Sequence, residues 1–431
     1  MEQLQTKRGL HNFNLCSLLA GIIIARLSCT ALSNIPILTI GFVLIYALVF
    51  IVLMIISVRI ITKKEANALL FLLVYSFEVM LSCWIAEISL FSTHAFNAYI
   101  MIILFFLYMY IKRLPRESQK RYFVLVLLGF TFTFIYSIIK LVENPMLSRM
   151  AATGRDYVET EDTLSAVGGF DTVYGSLLIF IVLVYIWQFV NGKKGKMLLS
   201  LAIASCVIFI IMATYAIAMV LLVITLAIIL FHRSKWGAIL VIIALLLTVI
   251  FHESIGDYIM QLSQTIDYSS IFKEKMHQIG HILRYGELVG TLSGDKGRLA
   301  SMSWSFEAFA KYPVFGAFSY RSIRIGSHSE IIDTLGRFGI TGFLSLGMFF
   351  ILLFRDISSG ITTKSGKKML FTSITIYLSI ALLDPALYTQ QLLPIFLLIP
   401  FAENYTSSQR AIDDNNRIST QQYPKEIITN N

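Results

Sequence analysis

The sequence predicts an all-α polytopic membrane protein of about twelve transmembrane helices, and three observations carry that prediction. Of the 431 residues, 56% are hydrophobic and 14% charged, against roughly 25% charged in a soluble domain, and the mean hydropathy is +0.73. Apolar runs recur at bilayer length, about 20 residues for a hydrocarbon core ~30 Å thick. Lys and Arg then sort into alternate connections, as the positive-inside rule requires.

Taken in order, the spans read 13–32, 36–58, 66–86, 95–111, 122–141, 172–190, 197–212, 215–231, 236–251, 336–354, 369–384 and 388–403. The first follows Lys7 and Arg8 directly and reads as a signal anchor, with no cleavable leader. Residues 197–231 run for 35 positions without a charge, which fits one long helix or two short ones about Ala213, Thr214 and Tyr215. The flanks decide between them. NGKKGK (191–196) precedes the run and HRSK follows it; two basic flanks belong on one side, so the number of crossings is even. With two crossings there, seven short cytoplasmic segments hold 22 of the 35 Lys and Arg, among them RLPRESQKR (113–121) and SGKK (365–368), and both termini are cytoplasmic.

Two longer connections then lie outside, 142–171 and about 252–335. The chain divides into an N-terminal bundle of about nine spans (1–251), a large external loop with short helices (252–335), three C-terminal spans (336–404) and a polar tail (405–431) that reads as disordered. A long loop without a structural need is usually functional. The net charge of +9 follows from the cytoplasmic bias and is no signal for nucleic acid. Cys16, Cys29, Cys83 and Cys206 all fall in apolar runs and read as small apolar side chains, not a disulfide framework or a thiolate metal site. There is no Gly-rich phosphate loop and no room for a cytoplasmic nucleotide-binding domain, which argues against ATP-driven transport by this chain alone. No cofactor is expected.

The chemistry concentrates in 294–347. Arg298, Arg321, Arg324 and Arg337 lie there, with Arg284 just upstream, and Arg149 and Arg155 lie in the other external loop. A guanidinium offers a planar fork of donors suited to phosphate; the plainer reading is loop arginines paired with acids or lipid headgroups. His328 stands near the membrane entry, and a histidine there is either an interfacial polar residue or a base able to take a hydroxyl proton. Glu330 and Asp333 follow; in a helix Ser329 and Asp333 share a face. ETED (159–162) reads as a solvated acidic loop, with cation binding as the alternative. Arg26, Glu78, Glu87, Lys140 and Asp384 are the polar residues inside spans and are functional candidates by default. Arg26, Glu87 and Asp384 fall near the outer ends, where snorkelling or pairing suffices; Glu78 is deeper and lines a polar cavity or pairs across helices.

His328-Ser329, nine residues, then Gly339-Ile340-Thr341-Gly342 follow Gly297-Arg298, Trp304, Phe309 and Pro313-Val314-Phe315-Gly316. In order, spacing and placement these motifs resemble the O-antigen polymerase and O-antigen ligase family of bacterial envelope polysaccharide assembly, over about 294–347. The resemblance implies a GT-C-like enzyme of the inner membrane, with its site on the periplasmic face. The donor it implies is a glycan on undecaprenyl diphosphate, and the acceptor is a sugar hydroxyl of another lipid-linked repeat unit. His328 is then the general base, and Arg298, followed by Arg321, Arg324, Arg284 and Arg337, binds the diphosphate. Asp333, Ser329, Gly339 and Gly342 support them. Membrane lipid and a chain-length regulator protein are the further partners implied, and no metal is assigned. Ligases of the family tend to carry an Arg in the turn that here reads MATYA (212–216), where none stands. HSEIID and GGFDTVYG (168–175) look more like a polymerase. The alternatives are a ligase that moves polymer to lipid A core and a flippase for lipid-linked sugars.

Overall fold

Every described element is a helix or a turn. The computed structural model describes residues 2–57, 61–89, 92–153, 166–190, 192–265, 270–285, 298–318 and 323–406. The ETED run, Arg155, Arg321 and the tail beyond Thr406 lie outside them.

The N-terminal half comprises α1 (Glu2–Ser28), α2 (Ile40–Ser57), α3 (Lys63–Ile85), α4 (Thr93–Lys112), α5 (Arg116–Glu143), the short α6 (Leu147–Thr153), α7 (Phe170–Trp187), α8 (Lys193–Met212), α9 (Ala216–Arg233) and α10 (Lys235–Ile250). α3 starts on a capping box, with Thr62 Oγ1 accepting from the Glu65 N–H and Glu65 Oε2 accepting from the Thr62 N–H at 3.0 Å. This reciprocal pair satisfies two donors that a helix start otherwise leaves unpaired. The uncharged run 197–231 forms two helices, α8 and α9, broken at Ala213–Tyr215 where Thr214 takes φ +60°.

The long loop contains three helices, α11 (His252–Thr265), α12 (Ser270–Tyr285) and α13 (Arg298–Lys311). α14 (Glu330–Gly360) and α15 (Lys364–Leu383) follow. One boundary moves. α14 starts at Glu330, inside the segment read as loop to 335, because Ser329 caps it through the Ile332 N–H at 3.2 Å. Its first turns carry Glu330, Asp333 and Arg337, which hide a helix from a hydropathy reading.

Among the described residues, eight helices are long and apolar enough to cross a membrane: α3, α4, α5, α7, α8, α9, α14 and α15. The other four predicted spans take different forms. α1 and α2 hold shorter apolar stretches, Leu15–Ser28 and Gly41–Ile55. α10 continues into α11 across a bend of 83°. The segment read as a span at 388–403 is a chain of short turns: α16 (Thr389–Leu393), a π turn (Pro394–Leu398) and a 3-10 turn (Ile399–Phe401). Pro394 and Pro400 explain this, since a proline supplies no N–H to the α ladder. The Ile399 N–H reaches back five residues to the Pro394 carbonyl instead.

This broken segment is the centre of the bundle. Leu392, Leu393, Phe396 and Leu398 are fully buried, with α1, α4, α5, α7, α14 and α15 around them. α7 is apolar on every face and correspondingly enclosed, as such helices must be in the middle of a bundle. α2, α8, α9 and α10 turn large apolar side chains outward, for example Leu48, Leu198, Val223 and Val249. A protein with this surface is membrane-embedded.

The bundle has two chemically distinct ends. At one, the ends of α7 and α9 meet the start of α15 around Gln188, Arg233 and Lys368. The same end holds Lys112 against Asp356 and Arg113 against Glu65, each at 2.6 Å, and Glu403 accepting from Thr362 and Thr363. We call it the basic end. At the other, the starts of α7 and α14 meet the end of α15, and α13 packs on α14. We call it the arm end.

Candidate functional site

The two glycine motifs are joined backbone to backbone. The Ala317 and Phe318 N–H groups donate to the carbonyls of Gly336 and Arg337 at 3.0 and 2.8 Å, and those of Ile340 and Thr341 donate to Pro313 and Val314 at 2.9 and 3.2 Å. The carbonyls of Gly336 and Arg337 are available because α14 kinks at Gly339, whose φ of 64° and ψ of −159° belong to a region that only glycine occupies at ease. Gly316 has φ +71°, and a Cβ on it would lie 2.4 Å from the Arg337 carbonyl; one on Gly339 would lie 2.4 Å from the Val314 carbonyl oxygen. Both positions therefore need glycine for conformation and for space. Gly342 sits a turn further on, where an added Cβ would meet Phe338 and Glu78 Oε2. That places Glu78 against α14, with Oε2 buried and without a hydrogen-bond partner among the described residues.

The kink divides α14 into a short polar piece before Gly339 and the membrane-crossing remainder. α13 holds the loop that leads into the polar piece. Ser305 Oγ donates to Asp333 Oδ1 at 2.6 Å and accepts from the Gly326 N–H at 2.9 Å, while Asp333 Oδ2 accepts from the Ser329 N–H at 3.0 Å. Asp333 and Ser329, predicted to share a face, thus form one cap, and the half-buried His328 is held just before it. With both carboxylate oxygens engaged, Asp333 positions this loop.

A pocket of about 120 Å³ opens at Ser327; His328, the next residue, is not among those that line it. Ser327, Glu330, Asp333, Arg337 and Phe338 line one side, Tyr75, Val79 and Asn97 of α3 and α4 another, and Pro385, Leu387 and Tyr388 the third. Glu330 bridges two of these walls: its Oε2 accepts from the Ala386 N–H at 3.1 Å, and Oε1 accepts from the Thr334 hydroxyl at 3.3 Å. Arg337 and Glu330 line the same space with Tyr75 and Tyr388, so the pocket holds a guanidinium, carboxyl groups and phenols. Such a set can bind an anion at the guanidinium while it orients hydroxyls at the carboxylates and phenols.

The floor of the third wall comes from GGFDTVYG. The Tyr174 hydroxyl donates to Asp384 Oδ2, Phe170 stands edge-on to Tyr388 at 4.7 Å, and Gly175 lets α7 approach the Gln390 carbonyl so closely that a Cβ would lie 2.2 Å from it. Asp384, a polar residue predicted near an outer end, is here a partner within the site's support. Arg26 and Lys140 are settled locally, on the Leu38 carbonyl at 2.8 Å and on Glu143 at 2.7 Å.

The predicted arginines separate. Arg337 reaches the pocket. Arg324 is exposed on the arm, with its guanidinium stacked 3.4 Å from the Trp304 ring centroid. Arg284 pairs with Asp257 and lies over Tyr285, inside the α11–α12 hairpin that packs on α9 and α10. Arg298 opens α13, but its side chain, like Arg321, lies outside the described residues. Arg149, of the other external loop, takes a defined place: it donates to the Thr214 carbonyl at 2.5 Å and to its hydroxyl at 3.1 Å, and covers the Tyr215 ring at 5.0 Å. The turn at 213–215 therefore does carry a guanidinium, delivered by α6. Tyr75, Asn97 and Tyr388 were missed because each stands alone in its own stretch.

The chain matches no protein-family model and no curated protein sequence.

Proposed function

We propose that this chain is a glycosyltransferase of the inner membrane that joins lipid-linked oligosaccharide repeat units into a surface polysaccharide such as O-antigen. In this reading all twelve apolar segments are membrane elements of a GT-C-like enzyme. The basic end faces the cytoplasm by the positive-inside rule, and the arm end faces the periplasm, where glycans on undecaprenyl diphosphate are presented. The observation that carries the proposal is the pocket in which Arg337, Glu330 and Tyr388 converge, reached by Ser327 next to His328 in the chain, at the end opposite the basic connections.

In that site His328 takes the proton of the acceptor hydroxyl as the oxygen attacks the anomeric carbon. The bond to the diphosphate breaks on the far side and the anomeric centre inverts. Polyprenyl diphosphate is already a good leaving group and needs no general acid, so what the site supplies is positive charge where negative charge develops. Arg337 and Arg298 are assigned to it, with Arg321 and Arg324 next. Asp333 and Ser329 hold His328 in place, and the Gly316–Gly339 join fixes their distance from the membrane.

The test is the purified protein acting on undecaprenyl-diphosphate-linked repeat units. His328→Ala should lower transfer by roughly 10²–10⁴-fold, with insertion and solubility kept. Wild-type polymer length from that variant would defeat the proposal. A second reading, ligase, is favoured by one observation: Arg149 puts a guanidinium on the 213–215 turn, where ligases of the resembled family tend to carry one. A deletion strain separates the two, since loss of a polymerase leaves single repeat units attached and loss of a ligase leaves polymer on the carrier lipid.

A further inference from the structure

A second cavity, of about 170 Å³, lies at the basic end, between the ends of α7 and α9 and the first turns of α15. Its sign is dictated by sequence: HRSK closes α9 and SGKK opens α15, and no acidic side chain lines the space. Arg233 and Lys368 have no carboxylate partner among the described residues, whereas Lys112 and Arg113 at the same end are each paired. Lys368 Nζ donates to the His232 carbonyl at 2.5 Å, which holds the ammonium in place and leaves its other protons for another acceptor.

An independent observation points the same way. Tyr185 lines the cavity, is 4% exposed, and its hydroxyl has no hydrogen-bond partner among the described residues. Buried hydroxyls are rarely left so, and an orphan of this kind marks the place of a missing acceptor. Two cations without a carboxylate partner and a donor without an acceptor are the complement of a phosphate. Gln188, His232, Ser365 and Thr372 add further hydrogen-bonding groups, Ile181, Val184, Ile229 and Met369 form an apolar part of the lining, and the neighbouring outer face of α9 is apolar too, through Val223 and Leu230.

We propose that this cavity binds the phosphate of an anionic phospholipid headgroup, with the acyl chains running down the outside of α9. Basic pockets between transmembrane helices suit such headgroups. The assignment goes beyond the transferase reading and does not depend on it.

The experiment uses the full-length protein in vesicles of phosphatidylcholine with and without phosphatidylglycerol, read by thermal unfolding and by native mass spectrometry of retained lipid. Phosphatidylglycerol should be retained and should raise the unfolding temperature. Arg233→Gln with Lys368→Gln should weaken retention about thirtyfold. Tyr185→Phe should weaken it about tenfold, yet leave unfolding in pure phosphatidylcholine unchanged or raised, because an orphan hydroxyl is removed. If the double variant unfolds early in pure phosphatidylcholine, Tyr185→Phe decides alone. Retention that none of these substitutions alters would overturn the proposal. So would stabilisation by inorganic phosphate alone through the same residues, which would assign the site to the free anion.

Discussion

The cavities at the two ends of the bundle balance charge in opposite ways. At the arm end the pocket is mixed in sign: Arg337 faces Glu330, and the carboxylates of Glu330, Asp333 and Asp384 each hold a hydrogen-bond donor. At the basic end the cavity between α7, α9 and α15 is lined by cations without an acid. A mixed pocket gains little by holding a bare anion and is better built to arrange several groups about a reacting centre. A single-signed one attracts an anion. The difference teaches that a basic residue at a membrane boundary is informative only once its acids have been counted.

The largest expected effect bears on the arm end. Arg337→Ala should lower transfer of lipid-linked repeat units by about 10²–10³-fold, the usual loss when one preorganised donor is removed; steady-state rates on purified protein measure it. An unchanged rate would move the diphosphate site to Arg298 and make the mixed pocket a structural feature. Gly339→Ala should come next, since alanine is strained at that backbone conformation by ~3 kcal/mol and also meets the Val314 carbonyl. Thermal unfolding in detergent should show the loss, with polymer output falling as the His328 loop shifts.

Glu403→Ala tests the basic end. Glu403 is 7% exposed and accepts from the Thr362 N–H, the Thr362 hydroxyl and the Thr363 N–H at 2.9, 2.6 and 2.9 Å. Losing a charged acceptor of this kind costs about 2–3 kcal/mol, seen as a lowered unfolding temperature, with transfer kinetics in the surviving fraction unaltered. Tyr174→Phe should be smallest, about 1 kcal/mol for one hydrogen bond, and it sharpens the comparison. If transfer falls further than stability does, the support beneath the pocket is functional as well as structural.

Much of this fold was legible because apolar run length is a strong signal: the helices at 66–86, 95–111, 122–141 and 172–190 stand where the sequence placed them. The break in 197–231 was read from charge on its flanks alone. The start of α14 was misplaced because Glu330, Asp333 and Arg337 depress hydropathy without interrupting a helix. The last span was misjudged in form, since a hydropathy window weighs Pro394 and Pro400 only as neutral residues and misses the backbone donor each lacks. The site itself was half legible. His328, Asp333, Arg337 and the two glycine motifs lie close in sequence and carry spacing; Tyr75, Asn97, Tyr388 and Arg149 are joined to them only by packing, which spacing does not encode.

The join between 313–318 and 336–341 has a consequence for how this protein varies. Val314 and Phe315 are 50% and 58% exposed, while the atoms that connect the two segments belong to the main chain, apart from the Thr341 hydroxyl on the Val314 carbonyl. Every residue type but proline carries those main-chain atoms, so most substitutions leave the connection in place, Gly316 and Gly339 excepted. The arm can exchange its outer side chains, and with them whatever glycan it meets, without disturbing the distance at which His328 is held from the bundle.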